Sequence, residues 1–195
     1  MRAIRSVAVL AIAALAAACG PSITYVKRPS SAALKGQKEL AVAVTYDGLM
    51  IGNKTFEQYI ADKQAKADDK SKDESASKWA EWRGIWAKDT ASIVGEAVKG
   101  AGVTVKEVKA PGDAKSGVVV HVNVEAIEPG YYAVVAAGPS ETRVRVRIFD
   151  AKKPGDVLYE LTGTSGHSGY STGGRVGDDI KTLASALGDA LRGEL

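Results

Sequence analysis

The sequence contains a single cysteine, Cys19, in 195 residues. The chain therefore cannot form an internal disulfide, and a lone thiol adds little to an exported domain. Histidine is almost as scarce. His121 and His167 have no second cysteine and no close spacing that would complete a set of metal ligands. We therefore expect neither a metal site nor a cofactor.

An excess of charge of one sign is also missing. The chain has 26 basic and 23 acidic residues, and removing Arg2 and Arg5 with residues 1–18 leaves 24 basic against 23 acidic. Nucleic-acid binding requires a clustered basic surplus, so this near balance argues against that class of partner. With only two Met and two Phe among 45% hydrophobic residues, the predicted core consists mainly of Val, Ala and Leu.

The N-terminal apolar run is too short to cross a bilayer. It covers twelve residues, 7–18, whereas a spanning helix needs about twenty. Arg2 and Arg5 precede it and small residues end it. This combination is typical of an export signal, so residues 1–18 are predicted to be a signal peptide.

The stretch "LAAACG" at residues 15–20 resembles the lipobox of bacterial lipoproteins. The resemblance implies that Cys19 is acylated, becomes the first mature residue and attaches the chain to the lipid bilayer. Gly20, in place of aspartate, implies the outer membrane, with the domain facing the periplasm. The alternative is an ordinary secretory signal with an incidental cysteine. Pro, Ser and Gly interrupt any periodicity after Cys19, so residues 19–38 are expected to be a flexible tether with a reach of about 25 Å.

Three segments have helical features. A helix is expected to begin near Phe56, and the charged run 63–78 is expected to be a solvated helix face or a mobile insert. A second helix carries one stripe at helical spacing, formed by Trp79, Trp82, Trp86, Ile93 and Ala97. We predict that this stripe packs on a sheet, the alternative being an exposed platform for sugars or a membrane surface. The last helix is expected from about Val176.

The remaining periodic segments predict strands. Residues 39–45 are apolar or small on both faces, while residues 118–127 and 141–150 alternate cleanly between apolar and polar residues. The chain order of strand, helix, four strands and helix predicts one α/β domain over residues 39–195. Its architecture would be α+β and two-layered, with a mixed, largely antiparallel sheet of about five strands and two helices on one face.

Two groups of residues are candidates for partner binding. Arg143, Arg145 and Arg147 alternate with Val and Ile, so they are predicted to share the polar face of one strand. They would either grip an anionic glycan, lipid phosphate or protein, or pair with neighbours such as Glu125 across the strands. Tyr131 and Tyr132 lie between two strands and are expected either to contact a partner or to anchor their own loop.

The glycine-rich stretch 166–175, "GHSGYSTGGR", partly matches two catalytic motifs. Gly169 to Gly173 fits G-x-S-x-G, but in folds with that motif a histidine follows the serine, and here both histidines precede Ser171. A phosphate-binding loop would need Lys and Ser or Thr after Gly174, where Arg175 and Val176 stand. A flexible glycine-rich connection is therefore predicted.

The order of elements also resembles a family of bacterial lipoproteins of unknown function. The similar parts are the lipobox, "VGEAVKGAGVTV", "VVVHVNVEAIEPG", "RVRVRIFDAKKPGDVLYE", the glycine-rich stretch and the terminal helix. The resemblance implies an envelope location and no established activity. The expected function is a non-enzymatic lipoprotein that binds an unknown envelope protein or glycan. The alternative is a weak serine-type hydrolase that uses Ser171 with His167 or His121.

Overall fold

The computed structural model describes residues 21–28, 33–66, 75–133, 136–169 and 171–195. Cys19 lies outside these ranges. The described part contains three α-helices, α1 (Phe56–Lys66), α2 (Ala76–Val98) and α3 (Thr172–Arg192). Its strands are β1 (Ser22–Lys27), β2 (Glu39–Thr45), β3 (Met50–Ile51), β4 (Lys54–Thr55), β5 (Thr104–Val108), β6 (Val118–Glu128), β7 (Tyr131–Ala133), β8 (Ala136–Gly138), β9 (Glu141–Asp150) and β10 (Val157–Ser165).

Eight of the strands form one sheet, whose central order is β1-β10-β9-β6-β2-β5, with β3 and β4 attached beside β6. Strands β1, β10, β9 and β6 pair antiparallel, whereas β2 runs parallel to both of its neighbours, β6 and β5. The parallel pairing follows from connectivity, because β2 is joined to β5 through α1 and α2 rather than through a tight turn. β7 and β8 form a separate hairpin.

The predicted class is therefore confirmed at the level of a mixed α+β fold, but the predicted counts of about five strands and two helices are wrong. The described residues contain eight strands in the main sheet and three helices. Strands β3 and β4 have two residues each, too few to produce an alternating pattern in the sequence. The third helix, α1, takes in residues 63–66 of the charged run, while residues 67–74 of that run lie outside the described part.

The prediction of a flexible tether is wrong for residues 22–27. These residues form β1, which pairs antiparallel with β10 along the edge of the sheet. The side chains of Ile23 and Tyr25 pack against the main core, and Leu34, in the following turn, is fully buried. Arg28 forms an ion pair with Glu194 near the C-terminus. The chain therefore joins the folded domain only a few residues after Cys19.

Helices α2 and α3 pack on one face of the sheet, as the two-layer prediction requires. Alternate residues of the central strands turn their apolar side chains toward these helices, including Val42, Val120, Val122, Val144, Val146 and Leu161. The face of α3 toward the sheet carries Ile180, Leu183, Leu187 and Leu191, which are spaced at the helical period and buried. One main core results, between the helices and this inner face of the sheet.

The tryptophans of α2 belong to that core, in agreement with the prediction that this stripe packs against the sheet. Trp79 is 0% and Trp86 is 3% exposed, while Trp82 is partly buried. The ring of Trp79 meets Phe56 and Tyr59 edge to face, each at a centroid distance of 5.8 Å. Edge-to-face contacts of this kind contribute about 0.5–1.5 kcal/mol each beyond the burial of area.

The glycines of α3 make room for these tryptophans. A Cβ atom at Gly173 would overlap the Trp82 ring, and one at Gly177 would lie 3.1 Å from Nε1 of Trp86. Further along, a Cβ at Gly188 would lie 2.5 Å from the Cβ of Ala97. The last helix was predicted to begin near Val176, which is four residues too late. It begins at Thr172, and Ser171 caps it by accepting a hydrogen bond from the Gly174 amide.

Candidate binding surface

The face of the sheet that points away from α2 and α3, called here the outer face, is largely polar. Strand alternation places the predicted arginine row on it, because the intervening residues of β9 turn inward to the core. Neighbouring strands add polar side chains in register with the row. The main members of the outer face are Thr45, His121, Asn123, Glu125, Arg143, Arg145, Arg147, Glu160, Thr162 and Thr164.

Arg145, at the middle of the row, is neutralised by two carboxylates. Its Nε lies 2.5 Å from Oε1 of Glu125 on β6, and its Nη1 lies 2.7 Å from Oε1 of Glu160 on β10. The hydrogen bonds that Arg145 donates, first to Glu125 and then to Glu160, raise the pKa of Arg145. For this residue the structure therefore agrees with the cross-strand pairing that the sequence suggested as the alternative to partner binding.

Arg143 and Arg147 differ from Arg145. Both side chains are exposed, and neither has an ion pair with any of the described residues. Arg147 stands beside His121 of β6 and Glu160 of β10, whose carboxylate is bonded to Arg145. Arg143 stands beside Ala126 of β6 and Thr164 of β10. Two residues four positions apart on a strand are about 13 Å apart, so the row presents two separate unpaired cations.

His121 and Asn123 are held within the sheet by short hydrogen bonds. Thr45 Oγ1 lies 2.8 Å from His121 Nε2 and 2.9 Å from Asn123 Oδ1, and the Asp47 amide also donates to Asn123 Oδ1. Burial lowers the pKa of His121; the charge of Arg147 acts in the same direction and Asp47 opposes it. His121 thus lies beside an unpaired arginine and has a reduced tendency to take up a proton.

One end of the outer face is covered. Ala41, Val119 and Phe149 form a small second apolar cluster there, and Val108, Ala114 and Ala151 pack over it. The segment 109–117 crosses this end, with a short 3-10 turn at Pro111–Asp113. The open part of the surface therefore runs from Arg147 toward Arg143.

The predicted tyrosine pair lies beyond the Arg143 end. From the sequence, Tyr131 and Tyr132 are expected in a loop. They lie instead in strand β7, which forms a hairpin with β8. This hairpin lies in the chain between the end of β6 and the start of β9, where Glu128 and Glu141 are paired. The Tyr131 side chain is 61% exposed. Fold and sequence therefore bring Tyr131 to the same end of the sheet as Arg143.

The stretch 166–175 has a structural arrangement that differs from both catalytic motifs. Ser171 Oγ is engaged as the cap of α3, and within the described residues no hydrogen bond joins it to either histidine. His167 Nδ1 lies 2.7 Å from Oδ1 of Asp179, and its Nε2 lies 3.4 Å from Oγ1 of Thr182. His121 lies on the outer face of the sheet. The three residues named for the hydrolase alternative are therefore not assembled as a hydrogen-bonded set.

Asp179 is the centre of a buried polar cluster that the sequence did not reveal. Its carboxylate is fully buried and accepts hydrogen bonds from Ser140 Oγ at 2.7 Å and Thr142 Oγ1 at 3.0 Å, besides its contact with His167. Burial raises the pKa of Asp179, and the hydrogen bonds oppose that rise. The sequence position of Asp179 could have indicated this cluster. Asp179 interrupts the apolar stripe between Val176 and Leu183, and a carboxylate buried there needs hydrogen-bond partners.

Arg175 fixes the same region from the other side. It is 3% exposed and donates to the carbonyl of Gly169 at 2.6 Å and to that of Pro129 at 2.7 Å. These bonds tie the segment before α3 to the segment before the β7–β8 hairpin. The glycine-rich stretch therefore acts in the structure as a junction, and residues 172–175 are helix rather than the predicted flexible connection.

The described residues can also be compared with the requirements of a metal site and of a membrane-spanning helix. In the ranges that the structure describes, no group of three or more His, Cys, Asp or Glu side chains is arranged to hold a metal ion. None of the helices in those ranges combines the length and the apolar composition that crossing a membrane requires.

No known family model matches the chain, and no curated protein sequence matches it. Among solved structures, the chain is similar to the PelC dodecamer from Paraburkholderia phytofirmans, with 16% identity, a TM-score of 0.42, and coverage of 86% of this chain and 96% of that one. A neuraminyllactose-binding hemagglutinin homolog from Helicobacter pylori gives 10% identity, a TM-score of 0.38, and coverage of 87% and 91%. These identities and TM-scores are too low to transfer a fold or a function to this chain.

Proposed function

We propose that this chain is a non-enzymatic module of the bacterial cell envelope that binds an anionic protein or glycan through its outer face. In this proposal an acylated Cys19 anchors the module to the outer membrane, and the domain faces the periplasm. The lipobox-like residues 15–20 support the anchor. The open part of the outer face, from Arg147 to Arg143, supports the binding surface.

The observation that carries the binding proposal is the difference within the arginine row. Arg145 is paired with Glu125 and Glu160, as the cross-strand alternative predicts. Arg143 and Arg147 instead keep exposed guanidinium groups with no described carboxylate in ion-pairing range. Guanidinium groups bind carboxylate, phosphate and sulfate groups through paired hydrogen bonds. Two such groups about 13 Å apart suit an extended partner with repeated negative charge.

The position of β1 bears on how the module would sit at the membrane. Ser22, at the start of β1, is three residues after Cys19 and pairs with Thr164, which in turn pairs with Arg143. Three extended residues span about 10 Å, so an acylated Cys19 would hold this end of the sheet close to the headgroups. Arg143 and Tyr131 lie at that end. The partner would accordingly be an envelope component within reach of the membrane surface.

Site-specific photo-crosslinking in cells tests the binding surface. A photoreactive residue at Thr164, on the outer face, should capture a defined partner, while one at Ser92, exposed on α2, should not. The double change Arg143→Gln and Arg147→Gln should abolish the capture, whereas Arg192→Gln, which removes one positive charge from α3, should preserve it. Capture that is unaffected by the double change would contradict the role of the outer face.

The anchor is tested separately by mass spectrometry of the mature N-terminus. The expected result is a chain that begins at acylated Cys19 and fractionates with the outer membrane. Cys19→Ala should give unprocessed or released protein. A mature N-terminus at another residue, without lipid, would contradict the anchor and leave the binding surface to be judged by the crosslinks alone.

A further inference from the structure

A cleft of about 160 Å³ lies on the helical side of the molecule, away from the outer face. Its walls are the turn 46–49 after β2, the first residues of α1, and Arg83 of α2. Ligand pockets for drug-sized molecules usually measure about 300–1,000 Å³. The cleft is smaller than such pockets but has room for several waters or for one small charged group.

Arg83 is the cation in the wall of this cleft. Its guanidinium carbon lies 3.8 Å from the ring centroid of Phe56 and 4.7 Å from that of Tyr46, so the group lies against both rings. The phenol of Tyr46 donates to the Arg83 carbonyl at 3.4 Å, which fixes the ring to the helix. Aromatic faces stabilise a cation without accepting its N–H bonds, so the donors of the guanidinium edge remain to be satisfied.

The hydrogen bonding of Arg83 is incomplete. Its Nε is buried and has no hydrogen-bond partner, and the described residues provide no ion pair to the guanidinium. Burial lowers the pKa of Arg83, and Tyr46 and Glu57 partly oppose this effect. Because Nε is closed to water-sized groups, a ligand in the cleft would bind the terminal N–H groups of the guanidinium, for which the described residues provide no hydrogen-bond acceptor.

The start of α1 adds a second source of positive potential. The amide end of a helix carries a partial positive charge, and Thr55 and Phe56 place that end in the cleft wall. The amides of these two residues already donate to Gln58 Oε1 and to the Leu49 carbonyl, so the helix end adds potential rather than free donors. Thr55 Oγ1 and Gln58 Oε1 form a reciprocal cap, which holds the first turn in place. Glu57 is the opposing charge. Its side chain is exposed, and among the described residues its carboxylate makes no ion pair with Arg83.

From this geometry we infer that the Arg83 cleft binds a small oxyanion group, a carboxylate or a phosphate, which accepts hydrogen bonds from the guanidinium. The site is independent of the outer face, since it uses none of the same residues. The volume admits the oxyanion itself or the charged end of a small molecule. The rings of Phe56 and Tyr46 hold the guanidinium in place, so an acceptor would approach its terminal N–H groups from the cleft.

The test uses the detergent-solubilised full chain at constant ionic strength. Sodium phosphate and sodium acetate are titrated separately, with sodium chloride and uncharged acetamide as controls. Tryptophan fluorescence should respond, because Trp79 touches Phe56 and Trp86 lies 6.5 Å from Tyr46 between ring centroids. The Nε–H resonance of Arg83 in NMR spectra should shift with the same saturation curve. Saturation with phosphate alone or acetate alone identifies which oxyanion the site takes.

Variants sharpen the test. Arg83→Gln should weaken binding about tenfold or more, as loss of a hydrogen bond from a charged donor predicts. Glu57→Gln should strengthen binding a few-fold, because it removes the opposing charge. Arg147→Gln, on the outer face, should leave binding unchanged, and so a failure here is separate from a failure of the proposed function.

Two outcomes would overturn the inference. One is a response that does not saturate, or that acetamide and chloride reproduce. The other is an Nε–H resonance of Arg83 that does not move while oxyanion is added. If Arg83→Gln fails to fold, the Glu57→Gln comparison and the resonance shift still decide the question.

Discussion

The two faces of the sheet are built from the same strands but depend on different interactions, packing on the inner face and charge on the outer face. The inner face is apolar and buried under α2 and α3, and the contact between these two helices depends on tryptophans of α2 that occupy space left by glycines of α3. The outer face is polar and partly exposed to solvent, and its charge depends on which arginines have a carboxylate partner. A substitution on the inner face should therefore change stability, whereas one on the outer face should change charge and recognition.

The largest effect is expected at Trp79. Because this side chain is 0% exposed and meets four other rings, Trp79→Ala should lower the free energy of unfolding by about 3–5 kcal/mol. Trp82→Ala should cost less, since Trp82 is only partly buried. Ile85→Ala, at a 47% exposed position of the same helix, serves as the control and should change stability by no more than about 0.5 kcal/mol. Urea unfolding measures all three, and a similar cost at Trp79 and Ile85 would contradict the assignment of Trp79 to the core.

The next effect separates a helix interface from a helix surface. Gly188→Ala should destabilise the domain by about 1–3 kcal/mol, because the new methyl group meets Ala97 at 2.5 Å. Gly84→Ala introduces the same methyl group where nothing lies within 4 Å, and should stabilise by up to about 1 kcal/mol through helix propensity. The melting temperature of each variant is measured, and the two changes should have opposite signs. Equal signs would show that packing does not limit the α2–α3 interface.

On the outer face the expected stability changes are small. Arg145→Gln removes two ion pairs, but the side chain is 36% exposed, so the loss should not exceed about 1 kcal/mol and should shrink as salt is added. Arg143→Gln and Arg147→Gln should each stay within about 0.5 kcal/mol of the wild type. Unfolding curves at low and high salt compare the three. A large loss at Arg143 or Arg147 would mean that the row has a structural role throughout.

The smallest effect concerns protonation of His121. Its pKa is lowered in the folded chain, so below the ordinary value of about 6.5 the unfolded chain takes up the proton first, and stability falls as the pH drops from there toward the folded pKa. Arg147→Gln should raise the pKa of His121, because it removes one of the charges that lowers it. An NMR titration of the imidazole measures this shift, with Arg143→Gln as the control. The same pKa in wild type and Arg147→Gln would show that the charge of Arg147 does not contribute to the lowered pKa of His121.

The parts of the fold that the sequence predicted correctly are those with a regular period. The alternation in residues 141–148 placed the three arginines together on one face, and the helical spacing of Trp79, Trp86 and the leucines of α3 marked core positions. Both patterns are local, because they depend only on the direction of successive side chains. The counter-charges of Arg145 lie on β6 and β10, and only the pairing of strands reveals them.

The segments that were predicted wrongly depend on distant partners. β1 is a short strand between prolines, and it becomes part of the sheet because β10, some 140 residues later, supplies its hydrogen bonds. The buried cluster around Asp179 of α3 joins Ser140 and Thr142, at the start of β9, to His167, which follows β10. No local pattern encodes either arrangement.

The start of α3 shows how tertiary structure can reverse a local preference. By itself the sequence determined an amphipathic helix with its leucines on one side, since that pattern needs only the 3.6-residue period. Gly173 and Gly174 each disfavour a helix by about 1 kcal/mol, and the sequence predicted a loop up to residue 175, with the helix beginning near Val176. The fold decided otherwise, because Gly173 and Gly177 are the positions where the rings of Trp82 and Trp86 need space, and burying those rings outweighs the cost of glycine in a helix.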